Sequence, residues 1–104
     1  MQNYKLTLAA EADLREIAQY TDQQWGEQQA IQYASALTHS FQSIANGDVV
    51  SRSFSERFPQ VRVTRCEHHY VFYLHNPEKI PCIVAVLHKR MDMLTRSTER
   101  LSTY

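Results

Sequence analysis

The chain predicts an α+β domain of order β-α-α-β-β-β, with an antiparallel helical hairpin packed on one face of a mostly antiparallel sheet. Three observations carry that expectation. Residues 9–45 hold two stretches of helical periodicity broken at Gly26. Residues 70–87 read as strand, turn and strand. Residues 61–66 alternate as a further strand ahead of them. Two helices joined by one residue must run antiparallel, and their apolar stripes need a sheet to cover.

Residues 3–8 alternate weakly and predict a short strand. The first helix is expected over residues 9–25, where Leu14, Ile17, Ala18, Thr21 and Trp25 recur at helical spacing. Glu11 and Asp13 fall in its first turn, at the positive end of the helix dipole. Gly26 is placed to end it in a left-handed conformation. The second helix is expected over residues 27–45, striped by Ala30, Ala34, Leu37, Phe41 and Ile44 and stopped at Asn46-Gly47. Ala18, Ala30 and Ala34 are small enough to let the helices approach closely. Trp25 reads as core at the hairpin tip, its indole N–H reaching a partner. A binding role is its second reading.

Residues 48–60 show little periodicity and read as a loop tacked onto the core by Phe54 and Phe58, with Arg52 and Arg57 outside. In the strand at 61–66, Val61 and Val63 share one face, Arg62 and Thr64 the other. Glu67-His68 turns the chain into a strand beginning at His69. Its aromatic and β-branched residues from Tyr70 to Leu74 suit a pleated, half-buried surface. Asn76-Pro77-Glu78-Lys79 is turn chemistry. The run from Ile80 to Leu87 is apolar on both periods, so it is expected to lie centrally in its sheet. It ends in His88-Lys89-Arg90-Met91-Asp92, a polar cluster delivered by a core strand. Residues 93–101 predict a short polar helix or a frayed tail.

The 104 residues suit one domain spanning 1–104, with 93–104 a flexible tail on the second of the two readings of its end. Two glycines exclude a Gly-rich phosphate loop. No apolar run approaches the roughly 20 residues of a membrane helix, so no membrane partner is expected. Cys66 and Cys82 are isolated and read as reduced thiols in the cytoplasm. Net charge is zero, yet residues 1–48 carry two cations against six acids, net −4. Residues 49–104 carry nine cations against five acids, net +4. A basic half suits an anionic partner surface.

The five histidines make neither HExxH nor HxH spacing, and no metal or cofactor is expected. Both cysteines sit inside strand patterns, where a thiol is usually an inert small hydrophobe. The remaining candidates are cationic: Arg62, Arg65, Lys89 and Arg90, with His88 among them. If their strands share a sheet, these could gather at one end and face. Arginine suits bidentate contacts to phosphate or carboxylate, as on a nucleic-acid backbone or an acidic peptide.

Over residues 4–94 the chain resembles the ParE/RelE toxin superfamily, and its ParE branch more closely. The resemblance lies in Leu6-Thr7-Leu8-Ala9-Ala10-Glu11-Ala12-Asp13-Leu14-Arg15-Glu16-Ile17-Ala18, Tyr20-Thr21, Trp25-Gly26, the Arg62 strand, Val71-Phe72-Tyr73 and Val86-Leu87-His88-Lys89-Arg90-Met91-Asp92. It implies a type II toxin that poisons DNA gyrase by binding, with no catalytic residue, and that assembles with a cognate antitoxin. The carried-over positions Arg62, His88, Lys89, Arg90 and Asp92 are then expected to form or support the toxic surface. Arg62, Lys89, Arg90 and Trp25 are expected to meet the antitoxin. The alternative is RelE-type cleavage of messenger RNA on the ribosome. That branch uses loop lysines and a C-terminal Tyr or His. Here the loop has Arg52 and Arg57, Arg96 stands near the tyrosine position, and Tyr104 lies farther along. Two departures from the family pattern are Gln60, where a glycine often precedes the Arg62 position, and Ala85, where an arginine is frequent. A third reading is a non-toxic relic that only binds an antitoxin.

Overall fold

Thr7 decides where the first helix begins. Its backbone is extended (φ −73°, ψ 161°), and its side-chain oxygen accepts the Ala10 N–H at 3.1 Å. This N-cap satisfies an otherwise orphaned amide. The Thr7 hydroxyl also donates to the Val84 carbonyl at 3.4 Å, fastening the helix start to the sheet. The strand before it is therefore only β1, Lys5–Leu6, shorter than the 3–8 expected. In the computed structural model, which describes residues 3–88, α1 (Leu8–Trp25), α2 (Glu27–Asn46), β2 (Arg52–Ser55), β3 (Phe58–Cys66), β4 (His69–Leu74) and β5 (Cys82–His88) follow. Lys89, Arg90 and Asp92, and the expected tail, lie outside the described residues.

The five strands form one sheet in the order β1-β5-β4-β3-β2. β1 runs parallel to β5, and every other pair is antiparallel. The apolar run is interior as expected, though β4 holds the middle position. β5 begins at Cys82 rather than at Ile80, which is 45% exposed and is followed by the donor-less Pro81. Asn76 makes the expected turn, its side chain accepting the Glu78 N–H at 3.0 Å.

β2 corrects the reading of residues 48–60 as a loop. Ser53 pairs with Arg62 and Ser55 with Phe58, and a bulge between them interrupts the alternation. A four-residue edge strand with such a break leaves almost no period-2 signal. Phe54 and Phe58 do meet the core, with Phe54 edge-on to Phe72 at 5.5 Å.

The sheet is apolar on both faces. Val71, Tyr73, Ile83 and Val86 meet Ala10, Leu37, Phe41 and Ile44 on the helix side. Val61, Val63, Phe72, Ala85 and Leu87 make a second cluster on the other. In β5 the register passes from Ile83 opposite Tyr73 to Ala85 opposite Phe72, leaving Val84 as a bulge. That is why Val84 and Ala85, adjacent in sequence, join the same cluster.

Only part of the hairpin covers the sheet: α1 lies chiefly on β5, and α2 touches β3 more sparingly. Its far end projects. Trp25 is 72% exposed, so the core reading of this residue is wrong. Ala18 and Ala34 are also exposed, lining a crevice of about 80 Å³ between the helices with Ala30, Thr21 and Leu37. The two glycine stops differ. Gly47 is left-handed (φ 76°, ψ 20°), with its N–H on the Ile44 carbonyl and the Asp48 N–H on that of Ser43, a Schellman closure. Gly26 instead adopts φ 93°, ψ 168°, a region open essentially to glycine alone, and reverses the chain in one residue. No helix among the described residues is long and apolar enough to cross a membrane.

Candidate functional site: an anchored arginine and a histidine–tyrosine cluster

β3 carries Arg62 between Ser53 of β2 and Tyr73 of β4. The guanidinium is held from one side. Its Nε–H donates to Ser51 Oγ at 2.9 Å, and Nη2 donates to the Ser51 carbonyl at 2.9 Å. Nη1 reaches Ser53 Oγ at 3.5 Å. A guanidinium has five N–H donors. Among the described residues, two of them, one on each terminal nitrogen, carry no protein hydrogen bond. Ser51 and Ser53 thus fix the plane of a fork whose two remaining N–H donors have the geometry to bind an oxyanion. The nearby Thr64 hydroxyl donates to the Val50 carbonyl at 2.9 Å, holding the chain that enters β2.

Among the described residues, Arg65 and Arg52 do not join Arg62 on its face. Arg65 lies three residues along β3 opposite Tyr70, so it points to the other side. Its Nε–H donates to the Glu67 carbonyl at 3.1 Å. Arg52 is opposite Val63 and shares that other side. Arg57 stacks over the Phe58 ring at 5.2 Å. Arg62 and Arg65 therefore lie on opposite faces of the sheet rather than on the one face expected, because residues three apart on a strand have opposite parity; Lys89 and Arg90 lie outside the described residues.

His88 ends β5 on the helix side, paired across the sheet with His69. Their rings meet edge-on with centroids 5.2 Å apart. His69 Nδ1 lies 2.5 Å from the Tyr33 hydroxyl, and that oxygen accepts the His68 N–H at 3.2 Å. Burial, then the neighbouring His88 and His68, lowers the His69 pKa to about 4, while Asp13 opposes the shift. Burial likewise raises the Tyr33 phenol. Asp13 Oδ2 accepts the Val86 N–H at 2.9 Å, serving the β5 edge where β1 has ended.

Arg62 and His88 share a face but not a place. Arg62 stands in the row of Tyr73 and Ile83, whereas His88 stands in that of His69 and Cys66. Four residues along β3 separate the rows, about 13 Å at strand rise. Trp25 is at the hairpin tip, outside both groups. Sequence reasoning missed Ser51, Ser53, Tyr33 and His69. Tyr33 falls on the Ala30–Leu37 side of the second stripe, so periodicity alone could have found it. The serine anchor needed the β2–β3 pairing. Both thiols are half-buried and raised by that burial, and Cys66 donates to the Ala36 carbonyl at 3.6 Å. An open cleft of about 780 Å³ runs beside Cys66, between α2 residues such as His39 and the end of β3. Among the described residues no three of His, Cys, Asp or Glu gather as metal ligands.

Residues 4–93 match the family model described as the ParE toxin of the type II toxin-antitoxin system parDE. The chain is 45% identical to Toxin ParE of Escherichia coli over 101 residues, 97% of this chain and 98% of that protein. It is 37% identical to Toxin ParE1 of Mycobacterium tuberculosis over 90 residues, 86% of this chain and 92% of the relative. With Toxin ParE1 of Caulobacter vibrioides the identity is 32% over 92 residues, 88% and 94% of the two chains. A solved structure of a chromosomal ParDE system from P. aeruginosa shares the fold, with a TM-score of 0.68 at 20% identity over 85% of this chain and 96% of that one.

Proposed function

The chain belongs to the ParE toxin family of ParDE type II toxin–antitoxin systems, and on that premise we propose that it poisons DNA gyrase by binding and is neutralised by a cognate antitoxin. It acts in the cytoplasm, where replication takes place. The target surface comprises Arg62 and His88 with the strand-end residues Lys89, Arg90 and Asp92. Arg62, Lys89 and Arg90 also meet the antitoxin, as does Trp25 at the exposed tip. An antitoxin lying across the same cations excludes the target by occupancy. Its segment is acidic where it crosses them and apolar where it crosses the helical hairpin.

The observation that carries the binding reading is, among the described residues, the separation of the anchored Arg62 from the Tyr33–His69 pair. Cleaving RNA requires a base, an acid and a cation around one phosphate. Here the anchored Arg62 stands about 13 Å, by strand rise, from the row holding the Tyr33–His69 pair. Those two groups hydrogen-bond to each other. A binding surface needs only a pre-oriented fork, which Ser51 and Ser53 supply.

Induced expression tests the proposal when plasmid DNA and messenger RNA are read from the same cells. Gyrase-linked double-strand breaks and an SOS response, with intact messenger RNA, are expected. Codon-specific messenger RNA cuts with normal supercoiling would replace the proposal with ribosome-dependent cleavage. Neither effect would leave a module that only binds its antitoxin.

A further inference from the structure

The turn between β3 and β4 is closed by a side chain from a distant helix. Glu67 and His68 form its two-residue loop, and Glu67 sits at φ 55°, uncommon for a residue with a Cβ. Tyr33 of α2 meets this loop through its hydroxyl, which touches both His68 and His69. The His68 backbone N–H can only donate, so the Tyr33 oxygen accepts it. We assign the one tyrosine proton to His69 Nδ1, its nearest partner, which then offers its lone pair. The imidazole is accordingly neutral, with its proton on Nε2. The Tyr33 and His69 rings meet edge-on at 5.4 Å, which sets the nitrogen towards the hydroxyl.

We propose that Tyr33, His68 and His69 form a proton-controlled clasp between the second helix and the β3–β4 turn, closed when His69 is neutral and opened when it gains a proton. A proton on Nδ1 removes the acceptor of the tyrosine O–H. The imidazolium then turns from acceptor to donor at the same oxygen that takes the His68 amide, and the tyrosine proton must leave the clasp for another acceptor. The surroundings add to this effect. His88 faces the ring from β5, and His68 borders it from the turn, both disfavouring a second positive charge. Cys66 of β3 is its cross-strand partner, raised towards the neutral thiol by burial. Asp13 of α1 favours the charge, but burial outweighs it, and the ring stays neutral until the pH approaches about 4. Glu67 lies beside Tyr33 and disfavours a phenolate there. The clasp stands on this geometry alone. Its bearing on toxicity, through His88 beside it, rests on the reading of the strand end as target surface.

Nuclear magnetic resonance of the full-length ¹⁵N-labelled chain tests it. At neutral pH the His69 ring is expected to show an unprotonated Nδ1 and a protonated Nε2. As the pH falls below the ordinary histidine value of about 6.5, His69 should stay neutral longest. The His68 amide should lose at least tenfold protection against hydrogen exchange in step with its titration, while the Val71 amide in the central strand keeps its own. Tyr33→Phe should show the unprotected His68 amide already at neutral pH. His69→Asn, which keeps an acceptor near Nδ1 but cannot be protonated in this range, should hold protection through the titration. A His69 that titrates near 6.5 with unchanged His68 protection overturns the proposal. So does a Tyr33→Phe variant protected like the parent. Should Tyr33→Phe fail to fold, the parent titration decides alone.

Discussion

Phe41→Ala is the sharpest test of how the hairpin is held. Phe41 is 1% exposed, and its ring meets that of Tyr4 at 5.6 Å and 59°. It belongs to the cluster in which Leu37 and Ile44 of α2 face Val71, Tyr73 and Ile83 of the sheet. Truncating a buried phenylalanine to alanine costs about 3–5 kcal/mol, more where the walls cannot collapse. Here one wall is an interior pair of strands and the other a 20-residue helix, so we place the loss near about 4 kcal/mol. A domain of this size has about 5–15 kcal/mol in total. At about 4–8 °C per kcal/mol the melting temperature falls by about 20 °C. Circular dichroism melts, with a urea titration to check that the slope is unchanged, read this directly. Phe41→Leu, which keeps most of the volume, should cost about 1–1.5 kcal/mol. A Phe41→Ala melt that overlays the parent would show that α2 is not docked through this residue, and the packing argument would fail with it.

The glycines differ in a measurable way. Neither has a heavy atom within 4 Å of a built Cβ, so only backbone strain counts. Gly26→Ala should cost about 1–3 kcal/mol and Gly47→Ala about 1 kcal/mol; urea midpoints in the opposite order refute this. The His69 pKa of about 4 lies below its unfolded value. The unfolded chain therefore binds the proton more readily, and this group's contribution is complete above pH 6.5 and lost as pH falls towards 4. Solvent screening at a half-buried ring trims that contribution to about 1–2 kcal/mol. His69→Asn should flatten the stability slope across this window, and an unchanged slope counts against the assignment. Arg62→Ala should abolish growth arrest on induction without shifting the melt by more than a few degrees, and Arg62→Lys should not rescue it, because a point charge cannot replace the fork. Full toxicity of the lysine variant would remove Ser51 and Ser53 from the argument. Charge reversal at Lys89 and Arg90 should slow antitoxin association and flatten its salt dependence; on-rates equal to the parent's across a salt series would place the antitoxin elsewhere.

The helices, their glycine stops and the doubly apolar strand were legible in the sequence because each is written in local periodicity. Leu37, Phe41 and Ile44 repeat at helical spacing whatever they face, and the run through Ile83 and Val86 admits no wet side. The identities of Arg62 and His88 as candidates were also legible, through local pattern and resemblance. Their arrangement was not. Whether Arg62 and Arg65 share a face depends on strand parity, but which side the helices cover depends on the packed sheet. β2 was hidden because a bulged edge strand is stabilised by its neighbour, β3, rather than by its own alternation. Trp25 follows the helical stripe into solvent, since the stripe continues past the end of the surface it covers. The Tyr33–His69 contact joins residues 36 positions apart, and the Asp13–Val86 contact joins residues 73 apart. Local periodicity records which side of an element is apolar; chain closure over such separations selects the polar groups that meet, and only the tertiary structure holds that selection.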